Sequence, residues 1–195
     1  MQVRKHCLFL VIMGAFLLMW VGLAQATEFS AKVVTKMHGQ EIPGKIYIKG
    51  HKVRNESQVE GQTHVMIVRP DKKMVWVIMP QQKAYLEMPT TEDPKQKMMT
   101  MSPKDKPNMK LVGTETINGY ECDKYETTVS HKGKTTKHYA WISKKLGMPI
   151  KMTSADGSFS MEYQDIKPGK LSDSLFEPPK GYRKMKMPFP GPPKK

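Results

Sequence analysis

The sequence predicts a mainly β protein built on a single curved antiparallel sheet, closed far enough to be a half-barrel. Three observations carry this. About ten short runs alternate apolar and polar residues with a period of two. Turn signals made of Gly, Pro and Asn-Gly separate them at regular spacing. No amphipathic helical pattern of any length interrupts them. A sheet of that many strands must curl to enclose its own apolar face. The 195 residues fit one domain. With 38% hydrophobic and 26% charged residues the chain can bury a core, which excludes wholesale disorder, and two cysteines exclude a disulfide scaffold.

The N-terminus reads as a targeting segment. Arg4 and Lys5 precede an apolar run from Cys7 to Ala24, and Ala24-Gln25-Ala26 supplies a small-x-small site. Residues 1–26 are therefore expected to be a signal peptide cleaved after Ala26, with an uncleaved anchor as the alternative, since the run is close to the roughly 20 residues of a spanning helix. Cleavage would lower the formal charge from +14 to +12 and leave Cys122 as the remaining cysteine. Without a partner, Cys122 is expected to be a small buried hydrophobe; intermolecular pairing and a redox role are the alternatives.

A β domain is expected over 27–182. Glu28 to Met37 places Phe29, Ala31 and Val33 on one face, and His38-Gly39 and Pro43-Gly44 read as punctuation. Residues 45–56 form a second hairpin region. Runs at 64–68 and 74–79 flank the turn Arg69-Pro70-Asp71-Lys72-Lys73. In the second of these, Met74, Trp76 and Ile78 oppose Val75, Val77 and Met79, so both sides of the sheet need a cover there. Lys83 to Met88 adds a strand with Tyr85. Residues 90–109, rich in Pro, Lys and Met, read as a linker or lid, with one helical turn possible near Met98, Met99 and Met101. Strands resume over 110–117, 120–129 and 136–142, the first two joined by Asn118-Gly119, a strong hairpin signal. A last hairpin turns at Asp156-Gly157. Ser172 to Phe176 can make one helical turn, and 183–195 is expected to be a basic, Pro-rich disordered tail.

The segments Gly113-Thr114-Glu115-Thr116-Ile117-Asn118-Gly119-Tyr120-Glu121-Cys122-Asp123-Lys124-Tyr125 and Leu175-Phe176-Glu177-Pro178-Pro179-Lys180-Gly181-Tyr182 resemble a family of exported bacterial proteins of unknown function. Lys49 to Arg54 and Arg69 to Lys73 fit the same pattern. That family is similar in fold to the periplasmic outer-membrane lipoprotein carriers. The resemblance implies a half-barrel with a hydrophobic concave face, which in the carriers holds the acyl chains of a lipoprotein; cargo identity is not carried over to this chain, whose fold is expected to include short helical lid segments. The carriers begin with a long helix that this chain lacks after Ala26, so the lid would fall to 90–109.

These readings single out Met66, Met74, Trp76, Met79, Tyr85, Trp141, Met152 and Met161 as candidate ligand-binding residues, with Met98, Met99 and Met101 in the lid. Flexible thioethers beside rigid aromatics suit an apolar ligand of variable shape; ordinary core packing is the competing reading for each. No cofactor and no metal is expected: the five histidines left after cleavage are scattered, although Met-rich segments keep Cu(I) as a minor alternative. Hydrolase and phosphate-loop motifs are missing, so the chain is expected not to be an enzyme. Glu115, Glu121, Asp123 and Glu126 are expected to form a solvated surface with Lys124. The function expected is a periplasmic carrier of a lipid, lipopeptide or other apolar ligand; the alternative is a non-catalytic cell-envelope interaction module with a filled core. The last fifteen residues carry five bases and no acid, so Arg183, Lys184, Lys186, Lys194 and Lys195 are the expected contacts to an anionic membrane surface or an acidic partner, not to nucleic acid.

Overall fold

The computed structural model describes residues 28–89, 109–131 and 134–185. Among these residues twelve strands form one open curved sheet, with almost no helix. Strands β1 (Glu28–Met37), β2 (Gln40–Lys49), β3 (Lys52–Val59), β4 (Gln62–Arg69), β5 (Met74–Met79) and β6 (Ala84–Pro89) run up and down as one meander. A second meander comprises β7 (Met109–Ile117), β8 (Tyr120–His131), β9 (Lys134–Ser143), β10 (Pro149–Ser154) and β11 (Phe159–Pro168). The first and last of these eleven strands pair antiparallel, β1 with β11, and so weld the two meanders at the centre of the sheet. A short β12 (Arg183–Met185) adds parallel to β6 at one edge, and β7 forms the other edge. The tail expected to be disordered from Arg183 therefore begins with three residues held in the sheet.

Local chemistry explains the turns. Pro70–Lys72 and Pro80–Gln82 are 3-10 turns that open on proline, whose fixed φ suits the first helical position. Each closes on a lysine in the left-handed region, Lys73 at φ 51° and Lys83 at φ 46°. Asn118 and Gly119 both have positive φ, as the two-residue hairpin turn requires. One expected turn is absent: Pro43-Gly44 lies inside β2. Because β3 pairs with β2 only from Gly44 onward, Pro43 sits where a missing amide hydrogen is tolerated. Gly44 is needed for contact, since a Cβ there would stand 2.4 Å from the carbonyl oxygen of Glu56 on β3.

Two apolar clusters hold the sheet. The larger gathers Phe29, Ala31 and Val33 of β1, Ile46 and Ile48 of β2, Cys122, Trp141, Ile150 and Tyr163. The Phe29 and Tyr163 rings meet at 6.4 Å in a tilted arrangement. Cys122 is fully buried and free, and burial pushes its thiol pKa up, so it serves as a core hydrophobe. The smaller cluster joins Val65 and Ile67 of β4 to Trp76 and Ile78 of β5 around Phe176, which follows the sheet's last long strand and is 0% exposed. Among the described residues no helix is long and apolar enough to cross a membrane.

Candidate functional site

Residues 169–182 leave β11 and cross one face of the first meander as a strap. The face is set by strand alternation: Tyr47 on β2, Arg54 on β3, Ile67 on β4 and Trp76 on β5 lie directly opposite one another in the ladder and point the same way. Phe176 enters the apolar part of this face, with Leu171, Leu175 and Tyr182 packed beside it. A 3-10 turn at Asp173–Phe176, capped by the Ser172 side chain accepting from the Ser174 amide, brings the ring round.

A row of cations clamps the strap. Lys49 Nζ donates to the Leu171 carbonyl at 2.9 Å and Arg54 Nη1 to the Leu175 carbonyl at 3.1 Å. Arg69, only 5% exposed, donates to the Phe176 carbonyl at 3.0 Å and to the Glu177 carboxylate, and makes a two-pronged pair with Asp71 at 2.8 and 2.7 Å. Lys72 Nζ reaches both oxygens of Glu177 at 2.8 and 2.9 Å, and Lys52 reaches Asp173 at 2.9 Å. Three of the segments quoted above for their family resemblance, far apart in sequence, thus meet here. The Arg69 guanidinium holds the Asp71 carboxyl down at about 2. Burial pushes Glu177 up, but hydrogen bonds from Lys72 and Arg69 outweigh it and leave that group below its ordinary value.

The eight candidate ligand-binding residues do not line one wall. Met74, Trp76 and Tyr85 lie on the strapped face, packed in the Phe176 cluster. Met66 and Met79 point to the opposite face, as alternation along β4 and β5 dictates. On that side Met66, Val77 and Leu86 form one cross-strand row and Val68, Val75 and Met88 the next. All but the buried Val75 are half-buried, and neither cluster described above includes them. Met152 and Met161 face each other directly across β10 and β11. The lid residues Met98, Met99 and Met101 and the tail residues Lys186, Lys194 and Lys195 lie outside the described residues. Of the two described tail bases, Lys184 pairs with Glu87 at 2.8 Å and Arg183 is exposed.

Trp141 belongs to the larger apolar cluster and is held by charges as well. Its indole N–H donates to Glu115 at 2.8 Å, and the Nζ atoms of Lys124 and Lys151 stand 4.7 and 5.3 Å from its ring centroid. Lys124 also donates to Glu115 at 2.8 Å, and Lys151 pairs with Glu162 at 3.2 Å. Asn118 at the hairpin tip donates to Glu162 at 3.0 Å and to the Tyr163 carbonyl at 2.8 Å, tying β7 and β8 back to β11. The acidic surface expected around Lys124 is present, with Lys144 paired to Glu121 and Lys137 to Glu126. A shallow depression of about 430 Å³ beside it is lined by Gly119, Tyr120, Glu121, Lys144 and Lys145, none of them a predicted ligand residue. Among the described residues no group of three His, Cys, Asp or Glu could hold a metal ion.

Sequence reading missed Phe176 and Arg69 as organising residues. A proline-flanked aromatic late in the chain carries no strand pattern, and an arginine in a turn reads as solvated. Their signal lay in the resemblance segments, which gave no reason for the likeness.

No curated protein matches this chain. Among solved structures, an uncharacterized conserved protein from Thermus thermophilus is 15% identical with a TM-score of 0.58, the match covering 82% of this chain and 90% of that one. MucB, in the complex structure of Pseudomonas aeruginosa MucA/MucB, is 14% identical with a TM-score of 0.50, over 77% of this chain and 56% of that one. This chain thus spans about half the length of MucB. The lipoprotein LppX of Mycobacterium tuberculosis is 14% identical with a TM-score of 0.43, over 72% and 85%. At these identities the likeness is one of fold, and the fold shared with MucB is the lipoprotein-carrier-like one. A domain of unknown function, DUF4412, matches residues 32–148, from within β1 to the turn after β9. The chain belongs to the DUF4412 family.

Proposed function

We propose that the protein is an exported, periplasmic, non-catalytic carrier that holds a lipid, lipopeptide or other apolar ligand against its sheet. One observation carries the reading. The strap seals one face of β4 and β5 with Phe176, while the opposite face presents two cross-strand rows in which Met66, Val77, Leu86, Val68 and Met88 are half-buried around the buried Val75. Two adjacent apolar rows across three strands make a wall suited to an extended hydrocarbon, and methionines at the ends of the rows let it adapt. The candidate set narrows accordingly to Met66 in the wall and Met79 beside it on the same face, with Met74, Trp76 and Tyr85 assigned to holding the strap. The carrier-like fold shared with MucB supports the same reading.

The test is mass spectrometry of organic extracts from the protein purified out of its native envelope. The expected result is an apolar species near one copy per chain; extracts without one overturn the proposal. A second reading, a protein-binding envelope module, draws on the structure of MucB with MucA bound.

A further inference from the structure

The strap is gripped in a way that any extended peptide of similar chemistry could use. Three of its holds, from Lys49, Arg54 and Arg69, go to main-chain carbonyls, which every peptide offers. Selectivity enters at two kinds of point. The apolar recess between Val65, Ile67, Trp76 and Ile78 takes an aromatic ring, and Arg69 with Lys72 takes the carboxylate of the next residue. Residues 169–182 contain no strand: main-chain bonds hold only the ends, Gly169 on the Glu28 carbonyl and β12 on β6, and between them the grip comes from groove side chains. An occupant can therefore leave without unpairing the sheet beneath it. The strap carboxylates that the cations hold are accessible, with the Asp173 side chain 68% and that of Glu177 38% exposed. The groove residues from Lys49 to Ile78 lie within the family-matched segment, whereas the strap lies beyond its end at 148.

We propose that this groove is a peptide-recognition site, filled in cis by the strap and available in trans to an extended segment of a partner protein that carries an aromatic residue followed directly by a carboxylate. Charge complementarity selects that partner, because five cations line the path and the strap answers them with two acids and three carbonyls. The site is separate from the apolar rows on the opposite face, so it stands or falls independently of the carrier reading.

The test uses the full chain carrying Phe176→Ala and a fluorescent peptide of residues 171–180. In wild type the tethered strap competes at an effective concentration of order millimolar. The peptide should bind the variant at least about tenfold more tightly than wild type by anisotropy. Peptides carrying Phe176→Ala or Glu177→Lys should lose about tenfold or more, as expected when a buried anchor or a charge partner is removed. Should Phe176→Ala not fold, the chain carrying Asp173→Asn with Glu177→Gln keeps the anchor, weakens the clamp and takes the same measurement. Absence of saturable binding overturns the proposal, as does indifference to the peptide's Phe and Glu. Displacement of the peptide by a fatty acid, or elution of the variant as a strap-exchanged dimer, replaces the proposed occupant and overturns it too.

Discussion

At the scale of single residues, Arg69 and Phe176 matter most. Phe176 is fully buried, and Phe176→Ala should cost about 3 kcal/mol of stability, at the lower end for a large-to-small core change because a strap can relax. Arg69 is buried while its acids are partly in water, so Arg69→Ala should cost about 2 kcal/mol, less than a wholly buried pair. Arg69→Lys should recover less than half, because a lysine cannot make the two-pronged contact with Asp71. Urea denaturation of the three proteins measures all of this. The clamp also sets an acid limit. Asp71, Glu177 and Asp173 have folded pKa values below their ordinary ones, the last through hydrogen bonds from Lys52 and Lys49. A depressed carboxylate stabilises the fold above its unfolded value, about 4, and that contribution is lost as pH falls towards about 2. Melting temperature should therefore be flat above about pH 5 and fall between about pH 4 and 2. Glu177→Gln should shallow the fall, and a decline already under way at pH 6 would contradict the assignment.

At the scale of elements, backbone contact decides what sequence pattern cannot. Gly44→Ala would drive a methyl into the Glu56 carbonyl, so β2 and β3 must separate locally. We expect a loss of about 2 kcal/mol or more, within the range for overpacked sites, with faster amide exchange confined to those two strands. Asn118→Ala should cost about 1–2 kcal/mol, through the strained left-handed turn position and the lost bonds to Glu162 and Tyr163. Asn118→Gly keeps the turn and loses only the bonds, so the difference between the two variants separates the causes. These elements also show how far the sequence could be read. The period-2 runs and Asn118-Gly119 placed nearly every strand, because alternation and turn chemistry are local. Pro43-Gly44 was misleading for the converse reason: whether a Pro-Gly pair turns or stays extended depends on which strand lies beside it. The strap was legible only as one helical turn at 172–176. Its docking joins residues more than a hundred positions apart, which no local pattern encodes. The same limit scattered the candidate ligand residues, since methionine and tryptophan on strands reveal their face only once register is known.

At the scale of the whole molecule, twelve strands in one sheet present two faces to different uses over β4 to β6. One is closed by the chain itself through an aromatic anchor and a cationic clamp. The other carries the apolar rows that the carrier proposal rests on. The most direct test is binding of a fluorescent fatty acid to delipidated protein, compared between wild type, Met66→Glu and Tyr85→Glu. Wild type should show saturable binding that unlabelled fatty acid displaces. That binding should weaken about tenfold or more in Met66→Glu, where a charge enters the apolar wall, and change by less than about threefold in folded Tyr85→Glu, on the strapped face. Absence of displaceable binding, or loss on the strapped face with none on the other, would contradict it.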